Sequence, residues 1–189
     1  MKSKLKLAKG DYAPDFDLVD VNGDQVKLSN YDNGYVFINF MRYSGCPFCN
    51  LAIHRLTIES PTLKKNGCQI IAFMQSEKQN IVDNIYNRHS IKPPFPIIAD
   101  PGELHYERYG VEISVSAAFQ TITKIPHWLK SVRDDGYIDS RIEGNKFLVP
   151  AAFLVDCSTQ KIVIAYYGSN YYDHATFTDI YQALTFKEL

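Results

Sequence analysis

The sequence predicts an α/β domain with a mixed central sheet flanked by helices, and three features predict it. Tyr35 to Met41 (YVFINFM) is a nearly continuous apolar run, the pattern of a strand buried on both faces. A turn at Arg42-Tyr43-Ser44-Gly45 then leads directly into a helical pattern that starts at Cys46. The chain closes on two strand-like runs, 147–156 and 161–167, followed by a helix. Strands alternating with helices, then a hairpin and a helix, belong to a mixed α/β sandwich.

The elements follow in order. Phe16-Asp17-Leu18-Val19 and Gln25-Val26-Lys27-Leu28 flank Asp20-Val21-Asn22-Gly23-Asp24, and Asn-Gly between strand-like runs signals an N-terminal hairpin. After Cys46, the residues Phe48, Leu51, Ala52 and Leu56 recur at helical spacing. Pro47 suits the first helical turn, where a missing N–H costs little. Pro61 is expected to kink or break this helix, and Gly67 to mark its end. Gln69 to Met74 reads as the next strand and 77–88 as a helix. Lys92-Pro93-Pro94-Phe95-Pro96 is a rigid lead into a short strand, Ile97-Ile98-Ala99, and Glu103 to Tyr109 is a short helix stopped by Gly110.

From 112–146 a second amphipathic pattern runs through Val115, Ala118, Phe119, Ile122, Ile125, Trp128, Leu129 and Val132, interrupted by Pro126. It predicts a helical insertion of one or two helices. The strands 147–156 and 161–167 are joined by a turn at Cys157-Ser158-Thr159-Gln160, and the last helix is expected from Asp173 to Phe186. The strand–helix–strand unit around Cys46 calls for a right-handed crossover. No repeat or linker divides the chain, so 1–189 is read as one domain.

Composition narrows the function classes. With 46% hydrophobic and 22% charged residues the chain has the balance of a folded globule. A formal net charge of −1 gives no reason to expect a nucleic acid or an anionic membrane as partner. No stretch approaches the roughly 20 apolar residues of a membrane span. Residues 1–10 carry four lysines without the apolar core of a secretory signal, so a cytoplasmic location is expected.

The four cysteines are Cys46, Cys49, Cys68 and Cys157. They are too sparse for a disulfide scaffold, yet two sit in a Cys-X-X-Cys at a helix start. A thiol becomes a useful nucleophile only as thiolate, and the free N–H groups and dipole of a helix N-terminus favour that form. Cys46, at the helix start, is therefore the expected attacking group. Cys49, about one turn on, is placed to close on a sulfur bound to Cys46. The competing reading, half of a zinc site, needs two further ligands at motif spacing, and neither Cys68, Cys157 nor His54 supplies them, so no metal or other cofactor is expected. Val149-Pro150 is the second marked feature. A proline entering a buried strand removes a ladder donor, and a cis bond there would expose backbone beside the thiols, while a trans proline on a strand edge is the plainer alternative.

With these parts in place, the chain resembles the peroxiredoxin-like branch of the alkyl hydroperoxide reductase and thiol-specific antioxidant group, within the thioredoxin superfamily. Gly10-Asp11-Tyr12-Ala13-Pro14-Asp15-Phe16-Asp17-Leu18 is similar to that group's opening segment, and 40–51 to its active-site segment. Ala99-Asp100-Pro101 through Tyr109-Gly110-Val111, the run 150–156, Tyr167-Gly168 and Asp173-His174 also match. The resemblance implies a thioredoxin-like fold and an antioxidant thiol oxidoreductase with a redox-active Cys46/Cys49 disulfide. It implies a hydroperoxide substrate and a thioredoxin-like or other dithiol reductant; separately, the strand edges and the 112–146 segment are the candidate surfaces for a partner or a homodimer.

Three positions depart from typical peroxiredoxins. The Pro seven residues and the Thr or Ser three residues before the attacking cysteine are here Asn39 and Tyr43, and an arginine before the late strand is here Pro150, as in thioredoxins. Arg42, Tyr43 and Pro150 are accordingly the candidates for substrate binding. Arg42 would bring charge to the thiolate, Tyr43 a hydrogen bond to a substrate oxygen, and Pro150 backbone to a substrate chain. A solvated arginine and a packed ring are the plain alternatives for the first two. Disulfide exchange on proteins is the second functional expectation, and a non-catalytic binding module the third. Asp173 and His174 are read as a helix cap, His54 as structural, and Cys68 and Cys157 as buried strand-end residues.

Overall fold

The structure is a computed structural model that describes residues 6–111, 113–114 and 143–185. Its centre is β3 (Tyr35–Phe40), six residues that are all buried, as the apolar run requires. A five-stranded mixed sheet is built around it in the order β5-β4-β3-β6-β7. On one side β4 (Cys68–Met74) and β5 (Ile97–Ala99) run parallel to it, with Tyr35 opposite Cys68 and Phe40 opposite Phe73. On the other, β6 (Ala151–Asp156) and β7 (Lys161–Tyr167) form the antiparallel hairpin, with Tyr35 opposite Asp156.

The N-terminal hairpin pairs β1 (Asp17–Val19) with β2 (Gln25–Lys27) as a separate two-stranded ribbon. Its turn is organised by Asp20, whose Oδ1 accepts the N–H groups of Asn22, Gly23 and Asp24. The turn chemistry legible at Asn22-Gly23 is thus carried as much by the aspartate before it.

Alternation along β3 divides the core into two layers. Phe37 and Met41 pack with Ile53, Leu56 and Leu63 of α1 (Pro47–Lys65), while Val36, Ile38 and Phe40 pack with Tyr106 and Tyr109 on the opposite face. The second layer includes an aromatic cluster in which Phe40 stacks on Phe73 and meets Tyr106 edge-on. The short helices α2 (Lys78–Ile81) and α3 (Leu104–Arg108) flank β5, and α4 (Phe177–Thr185) closes the described chain.

Four expectations are corrected. Pro61 lies inside α1 without ending it: only the bond to the carbonyl four residues back is lost, and buried Leu63 secures the final turn. The helix after β4 is α-helical for one turn only and continues as a wider π-turn, Val82–Tyr86, in which Asn84 and Ile85 are buried. The Val149–Pro150 bond is trans; Pro150 immediately precedes β6, where no ladder donor is required, and its carbonyl accepts Gly168 N–H at 2.9 Å. The last helix starts at Phe177 rather than Asp173: Thr176 Oγ1 accepts the Asp179 N–H and caps it, whereas Asp173 is engaged by Tyr166 and Ser169. The helices expected between Val115 and Val132 lie outside the described residues.

Candidate active site

The site forms where β3 turns into α1. Leaving the sheet, the chain is pinned on both sides of Met41: its N–H donates to Phe73 O and its carbonyl accepts Tyr106 Oη at 2.6 Å. The turn is held by buried polar groups. Ser44 N–H donates to Ser76 Oγ at 2.8 Å, and Asn84 Nδ2 of the π-turn donates to Ser44 Oγ at 3.0 Å. Asn50 Nδ2 donates to the carbonyls of Ser44 and Cys46, at 2.7 and 3.0 Å. Its Oδ1 therefore accepts from His89 Nε2 at 2.9 Å, which puts the imidazole proton on Nε2. The Ser44 N–H and carbonyl and the Cys46 carbonyl thus each have a side-chain partner from another part of the chain or the next helical turn.

Cys46 occupies the N-cap of α1 in extended conformation, with Pro47 as the first helical residue. Both Cys46 and Cys49 are free and buried, the former 1% exposed. Arg42 folds over them: its Nη1 donates to Cys46 Sγ at 3.2 Å, and its backbone N–H to Cys49 Sγ at 3.3 Å. Arg42 is itself 4% exposed. Its guanidinium is held by Nη2 on Lys146 O at 2.8 Å and by the Tyr171 ring, whose centroid lies 3.6 Å from Cζ. The Tyr43 ring lies further off, at 5.1 Å.

This arrangement separates the two thiols. Burial pushes the Cys46 thiol up, but the Cys49 S–H, the Arg42 charge and the Cys49 and Phe48 N–H groups outweigh it and bring it down to about 6. The sulfur closes no strict capping hydrogen bond, so these N–H groups act as the oriented dipole of a helix start. Cys49 moves the opposite way, well above its ordinary value, through burial and the negative charge that settles on Cys46. One sulfur is thiolate at neutral pH and the other keeps its proton. For Arg42, burial favours the neutral form, and the cysteines override it and keep the guanidinium charged.

Of the residues singled out in the sequence, Arg42, Tyr43, Cys46 and Cys49 come together. Tyr43 contributes packing and its carbonyl, which accepts Cys46 N–H at 3.1 Å. Pro150 is buried against Gly168 in the trans form and does not present backbone in the way a cis bond would. Sequence reasoning missed Tyr171, Lys146 and Gln75. Beside the site, a cavity of about 750 Å³ runs between β3, α1 and residues 172–177, lined by Asn39, Met41, Phe48, Arg55, His174 and Phe177 among others. Burial holds the His174 imidazole neutral, its midpoint lowered to about 4.

Comparison with known proteins fits this geometry. The AhpC/TSA family profile matches residues 9–164. The chain belongs to the AhpC/TSA family. Among curated relatives, the thiol-disulfide oxidoreductase ResA of Bacillus thuringiensis (strain Al Hakam) is 31% identical over 108 residues, covering 57% of this chain and 61% of the relative. The ResA of Geobacillus kaustophilus is 32% identical over the same length, covering 57% and 60%. The chain therefore spans about three fifths of the length of the curated relatives it matches.

Solved structures extend the likeness to nearly the whole AhpC/TSA chain. A putative thiol:disulfide interchange protein DsbE from Chlorobium tepidum superposes with a TM-score of 0.64 at 20% identity, covering 95% of this chain and 99% of that one. Peroxidoxin BcpB from Mycobacterium tuberculosis gives 0.64 at 14%, covering 94% of each. At these identities the likeness is one of fold, and that fold is thioredoxin-like.

Proposed function

We propose that this AhpC/TSA protein is a thiol-dependent oxidoreductase that reduces hydroperoxides through Cys46 and Cys49. The observation that carries the reading is the Arg42 Nη1 contact, 3.2 Å from a Cys46 sulfur that is 1% exposed. Peroxide chemistry needs a thiolate beside a cation that stabilises charge as the O–O bond breaks. Arg42 also has a donor to spare: its Nε is buried without a hydrogen-bond partner among the described residues, available to a substrate oxygen. A small hydroperoxide can approach a recessed sulfur, whereas a folded protein's disulfide needs the sulfur at the surface.

In the first step the Cys46 thiolate attacks the terminal oxygen of ROOH. An S–O bond forms, the O–O bond breaks, and RO⁻ takes a proton and leaves as ROH, with Cys46 oxidised to the sulfenic acid. In the second step Cys49 Sγ attacks Cys46 Sγ. The S–S bond forms, and the departing hydroxide leaves as water with the proton that Cys49 had kept. A dithiol reductant then returns the pair to the thiols. Consumption of hydroperoxides in this cycle is an antioxidant activity.

Thiol–disulfide exchange on protein substrates is the second reading, favoured by the Cys-X-X-Cys and by the likeness to ResA. Purified reduced protein separates the two. Stoichiometric peroxide consumption with formation of a Cys46–Cys49 disulfide is expected, and a Cys49→Ser variant should stop at the sulfenic acid. Reduction of insulin without peroxide turnover would overturn the peroxide reading.

A further inference from the structure

We propose that Gln75 is a positioning residue for the Cys46 thiolate, acting through Arg42 without touching either sulfur. Gln75 follows the last residue of β4, 1% exposed, and holds both ends of the arginine. Its backbone N–H donates to Arg42 O at 3.2 Å, fixing the main chain from which the guanidinium extends. Its side chain makes a reciprocal pair with a residue 70 positions away: Asn145 N–H donates to Gln75 Oε1 at 2.8 Å, and Gln75 Nε2 donates to Asn145 O at 3.0 Å. The next residue, Lys146, supplies the carbonyl that accepts Arg42 Nη2.

The dock is tight. Gly144 adopts φ +60°, and a Cβ there would lie 2.7 Å from Gln75 Oε1, so the loop backbone lies directly on the amide. Glu103 Oε1 braces the same Asn145 N–H at 3.2 Å. An amide suits this position because one planar group offers a donor and an acceptor matched to the N–H and C=O of one residue. A carboxylate would lose the donor and add negative charge near the thiolate. Without the dock, the Lys146 carbonyl loses its tie to the end of β4, its hold on Nη2 is loosened, and Nη1 has more freedom to leave Cys46 Sγ.

This inference rests on Arg42 setting the thiolate, which the proposed function also uses, so its test omits peroxide. The rate of iodoacetamide alkylation at Cys46, located by mass spectrometry, is followed against pH in the wild type, Gln75→Ala, Arg42→Ala and the double variant. Gln75→Ala should raise the midpoint from about 6 toward an ordinary cysteine, cutting the alkylation rate at the wild-type midpoint roughly fivefold. It should add nothing in the Arg42→Ala background. A midpoint unmoved by Gln75→Ala, or a shift that adds fully to that of Arg42→Ala, overturns the proposal even if thermal stability falls. Gly144→Ala attacks the dock from its other side and decides the matter if Gln75→Ala does not fold. If the midpoint moves and the wild type leaves peroxide unconsumed, the positioning role stands and the peroxide reading fails.

Discussion

Two pairs of cysteines lie at opposite ends of the same central strand, and their contrast shows what makes a buried thiol reactive. Cys46 and Cys49 lie beyond the C-terminal end of β3; Cys68 starts β4 and Cys157 follows β6, beside the strand's beginning at Tyr35. All four are buried and outside any disulfide. At Cys68, burial first and then the neighbouring Cys157 sulfur push the thiol up to about 12. At Cys46, burial pushes in the same direction, yet a guanidinium, a neighbouring S–H and a helix start reverse the outcome to about 6. Low exposure is common to both ends, so the difference lies in the charge and donors placed around the sulfur.

Five measurements test this contrast. Removing the nucleophile has the largest effect: Cys46→Ser should reduce peroxide consumption to the uncatalysed background in a stopped assay. Arg42→Met should come next. It removes the charge while keeping the bulk, and loss of such a preorganised donor is expected to slow peroxide consumption by roughly a hundredfold. The alkylation midpoint of Cys46 should rise with it. In the wild type, reactivity should be full above that midpoint and fall as pH drops through about 6, because the thiolate is then protonated. Cys68 should stay unmodified across that range until the protein is unfolded.

The remaining two act at the inert end. Gly34 adopts φ +69°, its carbonyl accepts Cys157 N–H at 3.1 Å, and a Cβ on it would collide with the Gly67 carbonyl. Gly34→Ala should cost about 1–3 kcal/mol in denaturant unfolding, with the Cys46 midpoint unmoved. Cys68→Ala should cost about 1 kcal/mol and leave peroxide turnover unchanged. A change in turnover from either would show that the two ends are coupled.

The fold was legible wherever one residue pattern dictates one environment. The apolar run at 35–41, the Asn22-Gly23 turn and the helical spacing after Cys46 each translate directly into β3, the hairpin and α1. The errors fall where long-range partners override local signals. Asp173 looks like a helix cap in sequence, but Tyr166 and Ser169 take its carboxylate, and Thr176 caps the helix instead. Pro150 looks like a marker for a cis bond, but the bond is trans and the residue sits just outside β6, where a missing N–H costs the ladder nothing.

The site was half legible for a related reason. Arg42, Cys46 and Cys49 sit within eight consecutive residues and could be grouped by eye. What holds Arg42 comes from far along the chain: a carbonyl of Lys146, 104 residues on, and the face of Tyr171. A backbone carbonyl leaves no trace in residue identity, and one tyrosine among 13 carries no signal. Gln75 was hidden likewise, since its amide reads the main chain of Asn145 rather than a side chain.

The burial of Arg42 has a consequence for the oxidised protein. In the dithiol form a buried cation faces a buried anion, and the two sulfurs keep the guanidinium charged. Closing the disulfide removes the anion and leaves the cation where it is, with two aromatic faces and one carbonyl for company. A lone charge in such surroundings is expensive. If Cys46 and Cys49 cycle as proposed, the disulfide state carries an electrostatic tension that reduction relieves, and the pair is expected to be more oxidising than one without Arg42. Denaturant midpoints should be lower for the oxidised protein than for the reduced one, and Arg42→Met should narrow the gap.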